Sequence, residues 1–380
     1  MTSPEVSVVM PCLDECPTVG ECVSEALAAL RRGGLAGEVI LCDNGSSDGS
    51  QEIARKAGAR VVYQPLRGYG LAYQEGLRHA QGRYIVIADS DGTYDLNEIP
   101  RFIQILREGT DFVTGTRFGG AGVEGMSFLH RYVGNPVLTL LLNYLFQTDF
   151  SDVYCGMRAF TREAYQRIAP RSRGMEFNLE LAIHAKKAGL RCAEIPIRLR
   201  SRRIPAKLRT FKDGWRSLRL LLLYSPDSLF LTPALVALLS AAALFWVSFH
   251  LPQLSWPDIW VQIQAIASVL AIVGGQILQF WAVARSHSLS EGLDQPSRSA
   301  ALLLRWFSME RGLFLGMVLF LIGGGLAFQL VYHWLQAGLA PQNNRWGHVA
   351  LTFLAMSAQI IAGAFFIGLL TLKRERENHP

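Results

Sequence analysis

Residues 87–96 read "IADSDGTYDL", and a single serine separates the carboxylates of Asp89 and Asp91. Two anions this close repel each other, so their pairing at the end of an apolar strand calls for a compensating cation. Magnesium and manganese take hard oxygen ligands, typically one or two carboxylates together with substrate phosphates. Asp89 and Asp91 are therefore the expected metal ligands. A cation there would stabilise a departing diphosphate. The architectural rival gives Asp91 a smaller task, capping a helix that begins near Asn97.

Three other stretches have related chemistry. "PCLDE" holds Pro11 and Glu15, "DNGSSDGS" holds Asp43, Asn44 and Asp48, and "PLRGYG" holds Arg67, Gly68 and Gly70. Each alone is an ordinary turn signal. Together they suit a nucleotide sugar. Asp43 and Glu15 can accept hydrogen bonds from base or ribose, while Gly68 and Gly70 let the backbone approach a pyrophosphate beside the charge of Arg67. A nicotinamide cofactor would want GxGxxG after the first strand, and "PCLDECP" lacks it.

The elements around these stretches explain why they gather. "VSVVMP", "EVILCD", "RVVYQ" and "RYIVIAD" read as strands. They alternate with helical stretches such as "PTVGECVSEALAALRR", where Val19, Val23, Leu27 and Leu30 share one face. Such alternation predicts an α/β domain with a mainly parallel, Rossmann-like sheet. Ligands bind at the carboxyl ends of such strands, where all four stretches fall. Cys12, Cys16 and Cys22 lack paired CxxC spacing and read as small buried residues, not a zinc site. Six cysteines in the chain suit a reducing compartment.

The 380-residue chain is 50% hydrophobic, with mean hydropathy +0.21. The apolar excess begins after about Tyr224. Four segments, roughly 229–250, 259–284, 312–336 and 347–372, are long enough to span a bilayer. The N-terminus opens directly into a strand, without a basic-then-apolar leader. Lys207, Arg209, Lys212, Arg216 and Arg219 precede the first span, and Arg285, Arg298, Arg305 and Arg311 lie between the second and third. The tail adds more, whereas Arg345 is the only such residue in the other two loops. The positive-inside rule then places the large domain, the middle loop and the tail in the cytoplasm. The expected division is a catalytic domain over 1–206, an amphipathic interfacial helix and linker over 207–228, and a membrane domain over 229–380. In "KLRTFKDGWRSLRLLLLY", Leu208, Phe211, Trp215, Leu218 and Leu222 recur at helical spacing beside Lys212, Arg216 and Arg219. The basic residues gather beside the membrane, and no nucleic-acid partner is implied. Self-association into a homo-oligomer is left open.

The motifs "VVMPCLDE", "DNGSSDGS", "RGYGLAYQEGLRHAQG", "DSDGTYD", "GTRF", "DVYCGMRAF" and "GMEFNLEL" follow one another over residues 6–220. In this order the domain resembles family 2 glycosyltransferases of the GT-A fold, and within them the polyisoprenyl-phosphate glycosyltransferases, which include dolichol-phosphate mannose synthases. The resemblance implies a metal-dependent, inverting enzyme using Mg2+ or Mn2+. It would move a hexose from a GDP-mannose or UDP-glucose type of donor to a polyprenyl or dolichyl phosphate at the cytoplasmic membrane face. It also implies donor-binding roles for Pro11, Glu15, Asp43, Arg67, Gly68 and Asp89, and metal ligation by Asp89 and Asp91. Relatives often carry a metal-binding glutamine where this chain has Thr93. A lipid phosphate is already anionic at neutral pH, with a second pKa near 6 by analogy with phosphoserine. Its site should be rich in cations, and Arg117, Arg131, Arg202 and Lys207 are the candidates. Arg117 joins Asp91 and Asp152 as an expected catalytic residue. Asp152 either matches an aspartate proposed as base in relatives or orients Arg158 by a salt bridge. "RRIPAKL" keeps Arg202 and Lys207 of the relatives' R-x-G-x-S-K-L pattern but replaces its glycine and serine; such a run also suits anionic head groups. "QNNRW" at 342–346 resembles a signature of processive synthases but falls between the third and fourth spans, away from the donor. The alternatives are a transferase using another membrane lipid or glycan acceptor, and a non-catalytic membrane scaffold.

Overall fold

The computed structural model describes residues 3–118, 132, 134–201, 210–250, 257–290, 308–337 and 345–378. The chain divides into two compact units, Met1–Leu221 and Leu222–Pro380. The first is an α/β domain and the second holds four long apolar helices, which is the expected fold class.

In the first unit, seven strands form one sheet in the order β3-β2-β1-β4-β6-β5-β7. They are β1 (Val6–Cys12), β2 (Gly37–Asp43), β3 (Arg60–Tyr63), β4 (Tyr84–Ile87), β5 (Phe112–Thr116), β6 (Arg158–Thr161) and β7 (Cys192–Pro196). β1, β2, β3 and β4 are mutually parallel, and β6 inserts antiparallel between β4 and β5. β4 is buried along its whole length, as a strand covered on both faces must be, and its "YIVI" is a continuous apolar run. Helices α1 (Val19–Arg32), α2 (Ser50–Lys56), α3 (Tyr69–His79) and α4 (Ile99–Arg107) alternate with these strands. α1 buries Val19, Val23, Ala26 and Leu30 at helical spacing. Its first turn is held by the Glu15 carbonyl, which accepts from the N–H groups of Thr18 and Val19. Helices α5 (Asn135–Phe146), α6 (Arg162–Ile168), α7 (Phe177–Lys187) and α8 (Thr210–Leu223) complete the series up to the first apolar span.

In the second unit, helices over Asp227–His250, Ile259–Ser286, Met309–Gln336 and Trp346–Leu369 are each long and apolar enough to cross a bilayer. Their outward surfaces carry Leu239, Phe314 and Phe328, all highly exposed, which suits lipid and not water. Where the third and fourth helices meet, the residues are small. A β-carbon on Gly312 would lie 2.6 Å from that of Ala364, and one on Gly316 2.5 Å from Ile361. Lipid tails are as apolar as leucine, so close backbone packing has to drive this association. The first two helices are joined where Trp281 Nε1 donates to Asp227 Oδ1 (2.6 Å), with Arg285 3.9 Å from the same carboxylate.

Candidate active site

The loop after β4 carries the paired carboxylates. Asp91 is buried and folds back on its own loop, its Oδ1 accepting from the Thr93 backbone N–H (3.0 Å) and hydroxyl (2.5 Å). This overturns the rival reading of Asp91 as a helix cap. The short helical turn Leu96–Glu98 is capped by Asp95, whose side chain accepts from Asn97 N–H. Asp89 turns the other way, into α3. Its Oδ1 accepts from the hydroxyls of Tyr69 (2.8 Å) and Tyr73 (3.1 Å). Burial first, and the Asp89 charge second, push both phenols well above their ordinary range. They therefore remain O–H donors.

The neighbouring strand ends are stitched together, which the sequence motifs alone did not indicate. Asp43 is fully buried, and its carboxylate accepts from the N–H groups of Gly45 and Ser46 and from Gln51 Nε2. That shapes the "DNGSSDGS" turn. Asp14 accepts from Ser47 N–H (2.8 Å), and Glu15 N–H donates to Ser50 Oγ (3.0 Å), tying the Glu15 loop to the Asp43 loop. Pro11 joins the carboxylate loop through its carbonyl, which accepts from Ser90 Oγ (2.7 Å). Asn44 reaches across to the third loop, donating to the carbonyls of Gln64 and Leu66 and accepting from Gly68 N–H. Arg67 is exposed at that loop's edge.

Gly68 and Gly70 have a structural reason of their own. A β-carbon on Gly68 would lie 2.5 Å from the Arg173 carbonyl oxygen, and one on Gly70 2.1 Å from that of Ser172. Gly70 N–H donates to the Arg173 carbonyl (3.0 Å). These glycines let the segment before α7 lie against α3. That segment, in "RSRGMEF", was invisible to the sequence reading as a wall of the site. Its signal was two glycines flanking Tyr69.

Asp152 is fully buried and meets Arg117 as a fork. Arg117 Nε lies 2.5 Å from Oδ2 and Nη2 2.8 Å from Oδ1. The backbone N–H groups of Arg117 and Tyr154 and the Asn135 Nδ2 donate to the same carboxylate. Burial favours the neutral acid, but the hydrogen bonds and charge of Arg117 outweigh it and hold the carboxyl below the usual range. Of the two readings of Asp152, the salt bridge to Arg158 is thus corrected: the partner is Arg117. Arg158 is instead fully buried and donates to the carbonyls of Cys155, Asn178 and Val153. Arg131, Arg202 and Lys207 lie outside the described residues, as does most of "QNNRW". The chain just before Arg202 is described, and Arg200 N–H donates to the Thr93 carbonyl (2.8 Å) while its side chain bridges Glu25 and Asp95. The basic run therefore starts from the carboxylate loop itself. Helix α5 follows Arg131 in the chain and exposes Val137, Leu140 (71%) and Tyr144 (77%).

The donor set fits a hard divalent cation. Carboxylates and a hydroxyl are oxygen ligands, and among the described residues no group of three or more His, Cys, Asp or Glu could hold a metal. Mg2+ and Mn2+ take such oxygen donors, typically one or two carboxylates together with substrate phosphates. Burial pushes the Cys12 thiol up to about 11 and the Cys22 thiol to about 12, which makes them inert packing groups.

A mainly parallel sheet with acidic loops at its strand ends, followed in the chain by four helices long and apolar enough to cross a bilayer, defines a class of membrane-associated transferase. Residues 7–169 match the family model "Glycosyl transferase family 2", and residues 282–371 match the "Glycosyltransferase family 2 C-terminal transmembrane region". The low-salt glycan biosynthesis hexosyltransferase Agl6 of Haloferax volcanii is 32% identical over 97% of this chain and 89% of its own length. A dolichyl-phosphate hexose transferase of the same organism is 33% identical over 56% of this chain and 90% of its own. Among solved structures, glucosyl-3-phosphoglycerate synthase of Mycobacterium tuberculosis, in complex with Mn2+, UDP-glucose and phosphoglyceric acid, is 25% identical at a TM-score of 0.48, over 58% of this chain and 79% of that one. The chain belongs to glycosyltransferase family 2.

Proposed function

We propose that this glycosyltransferase moves a hexose from a nucleoside-diphosphate sugar to a polyprenyl or dolichyl phosphate, with inversion at the anomeric carbon. The observation that carries the reading is the hydrogen bond from Arg200 N–H to the Thr93 carbonyl. It joins the start of the basic run to the carboxylate loop, so that run begins where the sugar is released. The name of the Haloferax dolichyl-phosphate hexose transferase supports the same acceptor class.

Asp89 and Asp91 would hold Mg2+ or Mn2+, which when bound supplies positive charge to the departing diphosphate. Pro11, Glu15, Asp43, Arg67 and Gly68 belong to the three loops that would enclose the nucleotide, Asp43 by shaping its turn. An oxygen of the acceptor phosphate would form the new bond to the anomeric carbon as the bond to the diphosphate oxygen breaks. The bonding electron pair leaves with the nucleoside diphosphate. No proton has to be removed from an already anionic phosphate, so alignment and charge neutralisation suffice. Asp152 then acts by holding Arg117, and Arg117, Arg131, Arg202 and Lys207 would meet the acceptor phosphate. The exposed apolar face of α5, the amphipathic stretch over 207–228 and the Lys and Arg distribution support a catalytic domain at the cytoplasmic membrane face.

The test is transfer to a defined lipid. Purified full chain, Mn2+ and a panel of labelled GDP- and UDP-hexoses are incubated with polyprenyl phosphate, dolichyl phosphate or diacylglycerol. Label should enter a polyprenyl- or dolichyl-phosphate product. Label entering diacylglycerol alone would replace the acceptor class, and donor binding without any transfer would favour the scaffold.

A further inference from the structure

Asp89 is held by more than the loop that carries it. Tyr69 and Tyr73 lie one turn apart on α3 and so share a face, and both hydroxyls donate to Asp89 Oδ1. Asn178, in α7, donates through Nδ2 to Tyr69 Oη (3.2 Å). A hydroxyl has one hydrogen, so the amide directs that of Tyr69 towards the carboxylate. The rings are fixed as well. Tyr69 meets Tyr73 edge-on at 4.9 Å, and Tyr73 stacks on Phe177 at 5.3 Å. Arg158 donates to the backbone carbonyl of Asn178. The other oxygen, Oδ2, lies along the backbone of Gly156, where a β-carbon would come within 2.9 Å of it and within 2.9 Å of Tyr94 Oη.

We infer that Tyr69 and Tyr73, braced by Asn178, are positioning residues that fix the plane of the Asp89 carboxylate for a divalent cation, and that Gly156 keeps its second oxygen in place. The inference rests on the reading of Asp89 as a metal ligand. Two donors converging on Oδ1 set the carboxylate plane and draw charge onto that oxygen. Partners of this kind behind a metal ligand are worth about 10–100-fold in metal affinity. The bland alternative is that two buried phenols simply need an acceptor, and Asp89 is the nearest.

The two accounts differ in metal binding. Mn2+ is titrated into the detergent-solubilised full chain with UDP, and separately with GDP, and the free ion is counted by electron paramagnetic resonance. Tyr69→Phe and Tyr73→Phe should each weaken Mn2+ retention about 10-fold, and Gly156→Ala should act in the same direction. If Tyr69→Phe lowers the melting temperature but retains Mn2+ like the parent, the phenols are structural and the inference is wrong. Should Tyr69→Phe not fold, Asn178→Ala takes its place: it frees the hydroxyl without removing it, and unchanged Mn2+ retention would overturn the inference equally. The underlying reading fails differently. If the parent chain retains no Mn2+ with either diphosphate, or Asp89→Asn and Asp91→Asn both bind as the parent does, Asp89 is no metal ligand and both ideas fall.

Discussion

The catalytic domain holds two acidic centres that its sequence presents alike and its fold treats in opposite ways. Asp89 and Asp91 are held by hydroxyl and amide donors: two phenols on one, Thr93 on the other. Those groups fix the direction in which each carboxylate points. Asp152 is held by a guanidinium fork, fully buried. Its charge is already balanced, and its proton affinity is lowered. Hydroxyl donors of this kind set the plane of a carboxylate; a guanidinium fork aims the arginine as well. On the proposed function, the difference separates a donor-side centre from an acceptor-side one.

The most severe way to test the contrast is to neutralise one member of the first pair. Asp91→Asn keeps size and removes charge, and transfer should fall by on the order of 100-fold or more, with or without added Mn2+, while the melting temperature changes little. Full activity in that variant would break the contrast outright. The second centre should respond in stability. Asp152→Ala strands the buried Arg117 charge, which costs about 3–5 kcal/mol. A chemical-denaturation midpoint close to that of the parent would contradict the buried fork.

The pH dependence sharpens the same point. The Asp152 carboxyl is depressed in the folded state, so it contributes stability above its unfolded value of about 3.9. That contribution is lost as pH falls through the lower folded value. Stability should therefore drop in acid below about pH 4, and Asp152→Asn should flatten the drop. The pH–rate profile of transfer should show no inflection from Asp152 between pH 5 and 8. An inflection there that disappears in Asp152→Asn would restore the base. The smallest effect belongs to Thr93→Val. It removes one hydroxyl donor to Asp91, worth about 1 kcal/mol, and should raise the Mn2+ requirement by about 5-fold. No change would assign Thr93 to the turn alone.

Much of this was legible in the linear chain. The alternation of "VSVVMP", "EVILCD" and "RYIVIAD" with amphipathic stretches predicts a parallel sheet because side-chain period reports burial, and burial on both faces requires crossover helices. The four apolar segments are equally local, since about 20 residues of hydrocarbon-soluble helix need no tertiary partner to be recognised. Asp89 and Asp91 stood out because two carboxylates one residue apart are costly wherever the chain goes. Asp43 was legible as a carboxylate at a strand end but not in its partners. Whether a carboxylate faces a ligand or closes its own turn depends on where its oxygens point, and Gly45, Ser46 and Gln51 decide that.

What the sequence by itself determined is therefore the architecture and the kind of chemistry, because periodicity, length and charge spacing are properties of neighbours along the chain. Partnership was decided by the tertiary structure. Asp152 lies six residues from Arg158 and thirty-five from Arg117, yet it pairs with the distant one, because the chain turns after β5 brings the Arg117 fork in line with its two oxygens. Gly68 and Gly70 lie against Ser172 and Arg173, about a hundred residues on, a packing partner that their own neighbours in the chain do not announce. Asn178 donates to Tyr69, and Tyr69 to Asp89, across elements far apart in sequence. Such contacts depend on side-chain direction and on the closing of long loops, neither of which any local pattern records.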